Sequence, residues 1–142
     1  MHTEDIWHVL QAAAAVIGGW VGWYIGEFNG LVYALLAVMA VDYLTGVLCA
    51  IEARRLSSSV GFKGLARKLL IFALVGLGHI MDRHVIGTGS VLRTAIIMFY
   101  LANEALSIIE NAARLGLPVP ERLKLVLAQL HDNADGKTED EK

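Results

Sequence analysis

Four ionisable residues stand in or at the edge of stretches that are otherwise apolar: Asp42, His79, Asp82 and Glu104. Such a group at the depth of a bilayer costs about 2.5–3.5 kcal/mol on insertion scales, so each needs a reason to be there. Two kinds of chemistry supply one. Acids can hydrogen-bond or ion-pair across helices and hold them together, or they can line a path for water, ions or protons. The densest set lies near the end of the chain. Arg93, Tyr100, Glu104, Ser107, Asn111 and Arg114 follow one another at spacings of 7, 4, 3, 4 and 3. At roughly 100° per residue they form one polar stripe on a helix. Asn103 and Glu110 widen the stripe, and Met98, Ala102, Ala105 and Ile109 occupy the opposite, lipid-like face. In an earlier segment Asp42 is followed by Thr45 and Gly46. Both readings stay open at this point: helix glue, or the wall of a wet passage once subunits assemble.

Other chemistries find no support. Cys49 is the only cysteine, so an intrachain disulfide is impossible. Neither it nor His79 has partners at metal-ligand spacing, and no metal or other cofactor is expected. There is no P-loop, no Gly-x-Ser-x-Gly and no dinucleotide fingerprint, so no catalytic residue is expected either. A net charge of −2 with a single basic stretch leaves no nucleic-acid footprint.

The elements that must position these groups are legible from where charge is missing. Ile6–Gly26 holds 21 residues without Asp, Glu, Lys or Arg, and Phe28–Ile51 holds 24 with Asp42 alone. Leu69–Met81 holds 13 with none, and Thr94–Ile109 holds 16 with Glu104 alone. A bilayer-spanning helix takes about 20 mostly apolar residues. The third run is short, so Arg67 and Lys68 are expected to snorkel at its end. Apolar residues make up 56% of the 142, against roughly 45–50% in soluble proteins. Little chain is left for a soluble domain. The expected fold is all-α, with four transmembrane helices or alternatively three, and a C-terminal amphipathic helix. The first run is not expected to be a secretory signal, because residues 1–5 carry no Lys or Arg.

Arg54, Arg55, Lys63, Arg67 and Lys68 lie between the second and third runs. The positive-inside rule places them in the cytoplasm, and with four spans both termini lie there too. Cations and backbone amides in Ser57–Gly64 are also suited to a lipid phosphate, though topology alone accounts for the charges. Ala14, Gly18, Gly22 and Gly26 recur every four residues, a pattern that lets a second helix approach closely. Gly116, Pro118 and Pro120 end the fourth helix. Leu123, Val126, Leu127 and Leu130 then form one apolar face, with Arg122 and Lys124 suited to a membrane surface. The expected organisation is a transmembrane domain over 1–113, a cytoplasmic amphipathic helix over 114–131 and an acidic disordered tail over 132–142.

Several stretches in order resemble one family. They are Asp42-Tyr43-Leu44-Thr45-Gly46, Ser57-Ser58-Ser59-Val60-Gly61-Phe62-Lys63-Gly64 with Arg67-Lys68, and His79-Ile80-Met81-Asp82. They continue with Asn103-Glu104-Ala105-Leu106-Ser107-Ile108-Ile109-Glu110-Asn111 and Gly116-Leu117-Pro118-Val119-Pro120-Glu121-Arg122-Leu123. Together, over roughly residues 30–131, they resemble the phage-lysis and toxin-secretion holin family. The resemblance implies a protein of the bacterial cytoplasmic membrane that forms homo-oligomers in lipid and opens lesions. Those lesions release an endolysin or export a toxin, without catalysis or cofactor. The matching positions are Asp42, Thr45, Gly46, Gly61, Lys63, Gly64, Lys68, Asp82, Glu104, Ser107, Glu110 and Asn111. Two readings from other classes remain. One is a small proton-coupled carrier using Asp42, His79 and Glu104 as a relay, which would predict inverted repeats. The other is an anchor subunit of a larger membrane complex.

Overall fold

The four apolar runs become four helices: α1 (Thr3–Ile25), α2 (Gly30–Glu52), α3 (Ser58–Met81) and α4 (Val91–Arg114). The computed structural model describes residues 3–123 together with Leu125, Val126 and Gln129, and no strand occurs among these. A one-turn π-helix, Asp82–Ile86, extends α3. At about 1.5 Å per residue, the shortest helices, 23 residues long, span about 34 Å, enough for a hydrocarbon core of about 30 Å. All four helices are long and apolar enough to cross a membrane.

α2 packs most extensively on α4, α3 packs on α4 and α1, and α2 meets α3 over a shorter stretch. The buried centre is Val32, Leu35 and Met39 of α2, Ile71 and Val75 of α3, and Ile97 of α4, closed at one end by Ile25. In lipid such contacts work through shape rather than the hydrophobic effect, because the surroundings are equally apolar. Small residues therefore decide where backbones meet. A Cβ added at Gly78 would stand 2.7 Å from Ile96 Cδ1 and 3.1 Å from the Arg93 Cα, so α3 and α4 touch backbone to side chain there. Gly76 lies under the Tyr24 ring, whose hydroxyl donates to Ala73 O at 2.9 Å. Tyr24 thus fastens α1 to α3. The remainder of α1 is different: every residue from Thr3 to Trp20 is exposed.

The helix ends follow local chemistry. Asn29 and Ser57 cap α2 and α3, their side chains accepting from Val32 N and Val60 N, each at 3.3 Å. Because Ser57 caps α3, the helix starts eleven residues earlier than the charge-free run at Leu69. The Ser- and Gly-bearing stretch Ser57–Gly64, which from sequence suggests a turn and a helix start before Leu65, is therefore helical from Ser58 onward. α4 closes in a Schellman turn, with Leu117 N donating to Ala112 O and Gly116 N to Ala113 O. Gly116 takes φ +86°, which glycine adopts without steric cost. α2 closes in the same way, but Arg54 occupies the left-handed position at φ 53°.

Residues 121–123, 125, 126 and 129 are helical. The rest of the expected amphipathic face, including Lys124, Leu127 and Leu130, and the acidic tail 132–142 lie outside the described residues.

Candidate functional site

The polar stripe of α4 faces its own chain. Arg93, Glu104 and Asn111 are buried at 3%, 8% and 8% exposure, and Ser107, Asn103 and Tyr100 are half-buried. Glu110 and Arg114 are exposed at the margin of the stripe. Met98 and Ala102, on the opposite side, are exposed, and Ala105 and Ile109 are half-buried.

Three helices meet at one charged cluster. Lys68 of α3 lies between Asp42 of α2 and Glu104 of α4. Its Nζ stands 2.5 Å from Asp42 Oδ2 and also donates to Glu104 Oε2. Asn111 extends the cluster along α4. Its Nδ2 donates to Asp42 Oδ1 at 3.4 Å and to the Thr45 hydroxyl at 3.1 Å. Thr45 donates back to Val41 O at 2.9 Å, and Cys49 Sγ donates to Asn111 O at 3.4 Å. Gly46 makes room, since a Cβ there would meet Asn111 Nδ2 at 3.7 Å. The three charged residues share one depth. Asp42, Lys68 and Glu104 each stand ten residues in from a helix end, at Glu52, Ser58 and Arg114. Those ends lie on one side of the bundle, and ten residues correspond to about 15 Å, half a bilayer core.

A cleft of about 720 Å³ opens beside the cluster. Tyr43, Gly61, Gly64 and Arg67 line it from α2 and α3, and Asn103, Ser107 and Glu110 from α4. The Tyr43 ring lies against Gly64, 3.2 Å from where a Cβ would stand. Arg54, Arg55, Lys63 and Arg67 are all exposed at or near this end. Lys68 alone of the five expected loop cations turns inward.

The opposite end carries the second buried polar group. Arg93 Nε donates to Ile25 O at 2.7 Å, and its Nη2 donates to Glu27 O. The guanidinium thereby grips the corner between α1 and α2. Asp82, 1% exposed, accepts from Leu92 N at 3.0 Å and Arg93 N at 2.8 Å. It caps α4 from the preceding π-turn, a service that Ser90, the residue at the N-cap position, does not perform. His79 packs on Gly26, where a Cβ would come within 2.6 Å of its Nδ1, and φ +86° independently favours glycine.

Of the four small residues expected to pack α1, only Gly26 meets another helix in the chain. A Cβ at Gly18 or Gly22 would meet nothing within 4 Å, and Ala14 is exposed. The close-approach glycines inside the chain are Gly76 and Gly78, which the spacing in α1 did not indicate. Among the described residues, no group of three or more His, Cys, Asp or Glu is placed to hold a metal. The arrangement supplies a hydrogen-bonded polar wall at mid-helix, closed by one lysine.

Sequence comparison adds the family. Residues 19–132 match the bacteriophage holin family, which takes in all of α2, α3 and α4. An uncharacterized Listeria monocytogenes protein is 39% identical over 132 residues, 93% of either chain. An uncharacterized 14.9 kDa protein of Clostridium perfringens is 34% identical over 129 residues, 91% of this chain and 98% of its own. A probable holin of Bacillus phage phi105 is 34% identical over 105 residues, 74% of this chain and 77% of its own. No solved structure matches significantly. With its four helices long and apolar enough to cross a membrane, the chain belongs to the bacteriophage holin family.

Proposed function

We propose that the protein works as a holin in a bacterial cytoplasmic membrane: copies accumulate there, associate, and open lesions that let an endolysin reach the cell wall or a toxin leave the cell. The action is mechanical rather than catalytic. The observation that carries this reading is the family match over 19–132. Two features of the chain support it. The exposed length of α1, with Gly18 and Gly22 open, suits contact with a second copy in lipid. The inward polar face of α4 provides side chains that a water-filled lesion needs. Orientation follows from Arg54, Arg55, Lys63 and Arg67, which favour a cytoplasmic α2–α3 connection and a cytoplasmic C-terminus.

Induced expression in a bacterial host, with membrane potential followed in time, tests the reading. Growth should continue while protein accumulates and then end in an abrupt loss of potential. Steady growth with intact potential at a verified high membrane level would overturn it.

A further inference from the structure

The groups suited to lining water are the ones the single chain hides. Asp42, Glu104, Asn111 and Thr45 are bonded to one another or to Lys68, and Ser107 lines the cleft beside them. On the holin reading above, we infer that Lys68 is the latch of a closed state, and that lesions form when α3 withdraws it and frees the polar wall of α2 and α4. Three observations carry this.

Lys68 is the one residue in the described ion pairs that joins all three helices, since both carboxylates bond the same ammonium. The packing beneath it is uneven. α2 and α4 are closely apposed, whereas α2 and α3 meet over a short stretch with a cleft between them. The cleft runs along the Gly61–Lys68 part of α3, whereas Gly76 and Gly78 hold its other end against Tyr24, Ile96 and the Arg93 backbone, so a splaying of the Lys68 end alone breaks both ion pairs at once and leaves those tight contacts in place. The balance of charge is also incomplete. Two carboxylates share one ammonium, so in their ionised forms the closed cluster holds a net negative charge at mid-helix. An unbalanced charge out of water is costly, and hydration on opening relieves that cost. The closed state is thus held by Lys68 and opposed by the surplus acid.

Opposite effects follow for opposite changes. Lys68→Gln leaves two facing carboxylates without their cation and should open the wall. Asp42→Asn leaves a one-to-one Lys68–Glu104 pair and should hold it shut longer. Lys68→Arg keeps the charge and should stay nearest the original behaviour.

The test uses full-length protein in cells, with Ser107→Cys as reporter in a Cys49→Ser background. It reads labelling by a membrane-impermeant maleimide, applied to inverted membrane vesicles, together with the time to loss of potential. Lys68→Gln should raise the labelling rate roughly tenfold and bring the loss of potential forward; Asp42→Asn should lower the rate and delay the loss. Original rates in both variants, or shifts of the two in the same direction, would overturn the latch. If Lys68→Gln fails to reach the membrane, the Asp42→Asn arm decides alone, since a delay with slower labelling is not the signature of misfolding. If labelling moves in opposite directions and no variant ever loses potential, the latch stands and the lytic reading fails.

Discussion

The grip of Arg93 on the α1–α2 corner gives a prediction whose size follows from the geometry. The side chain is 3% exposed and donates to Ile25 O at 2.7 Å and to Glu27 O. A hydrogen bond from a charged donor is worth about 1.5–3 kcal/mol. Arg93→Met keeps the aliphatic stem and removes both bonds. Glu27 O retains the Asn29 amide at 3.0 Å, so the larger loss falls on Ile25 O. Removing the guanidinium also removes its own desolvation cost. The expected net loss is about 3 kcal/mol, somewhat over a hundredfold in the docking equilibrium of the corner. Arg93→Lys keeps the charge, but an ammonium lacks the fork that reaches two carbonyls, and the expected loss is about half as large. Tryptophan fluorescence reads this directly, because Trp7, Trp20 and Trp23 all lie on α1 and Trp20 stacks on Tyr24 at 5.7 Å. The assay is equilibrium unfolding of the purified full chain in mixed micelles with rising SDS fraction. Unfolding free energies of both variants within about 0.5 kcal/mol of the original would mean that Arg93 does not hold the corner.

Three further outcomes are expected in the same assay. Gly78→Ala drives a methyl against Ile96 and the Arg93 backbone and should cost about 1–3 kcal/mol, whereas Gly30→Ala, with open space at its Cβ, should cost nothing. Asp82→Ala removes the acceptor for both Leu92 N and Arg93 N and should lose about 3 kcal/mol, with Asp82→Asn intermediate. Arg54→Gly should stabilise by about 1 kcal/mol, because it relieves a side chain held at φ 53°.

Charge-free runs located the four helices because burying charge in lipid is costly enough to shape the sequence. The same rule stops at Leu69, short of the start of α3, which the Ser- and Gly-bearing stretch before Leu65 signals instead. Lys68 breaks the charge-free run and so counted as the end of a span, yet it lies eleven residues into a helix that Ser57 caps. Its two acids stand 26 and 36 positions away in the chain, and no periodicity within one helix can report a pairing between three. A signal was present: once Ser57 and Gly116 are taken as helix boundaries, Lys68 and Glu104 fall eleven and twelve residues in, at similar depth. The stripe on α4 was visible as a stripe, but which way it faces depends on neighbours. In α1 the regular spacing of Gly18, Gly22 and Gly26 named a surface without naming its partner, and within the chain only Gly26 is used. Asp82 capping α4 across a π-turn was also beyond local patterns, since the cap position itself holds Ser90.

In the holin role proposed above, this small bundle opens a membrane to large solutes. Purified full-length protein reconstituted in liposomes loaded with fluorescent dextrans of graded size tests it most directly. Above a threshold amount of protein, large and small dextrans should leave together. Retention of every dextran at high protein density, or passage of one small solute alone, would contradict it.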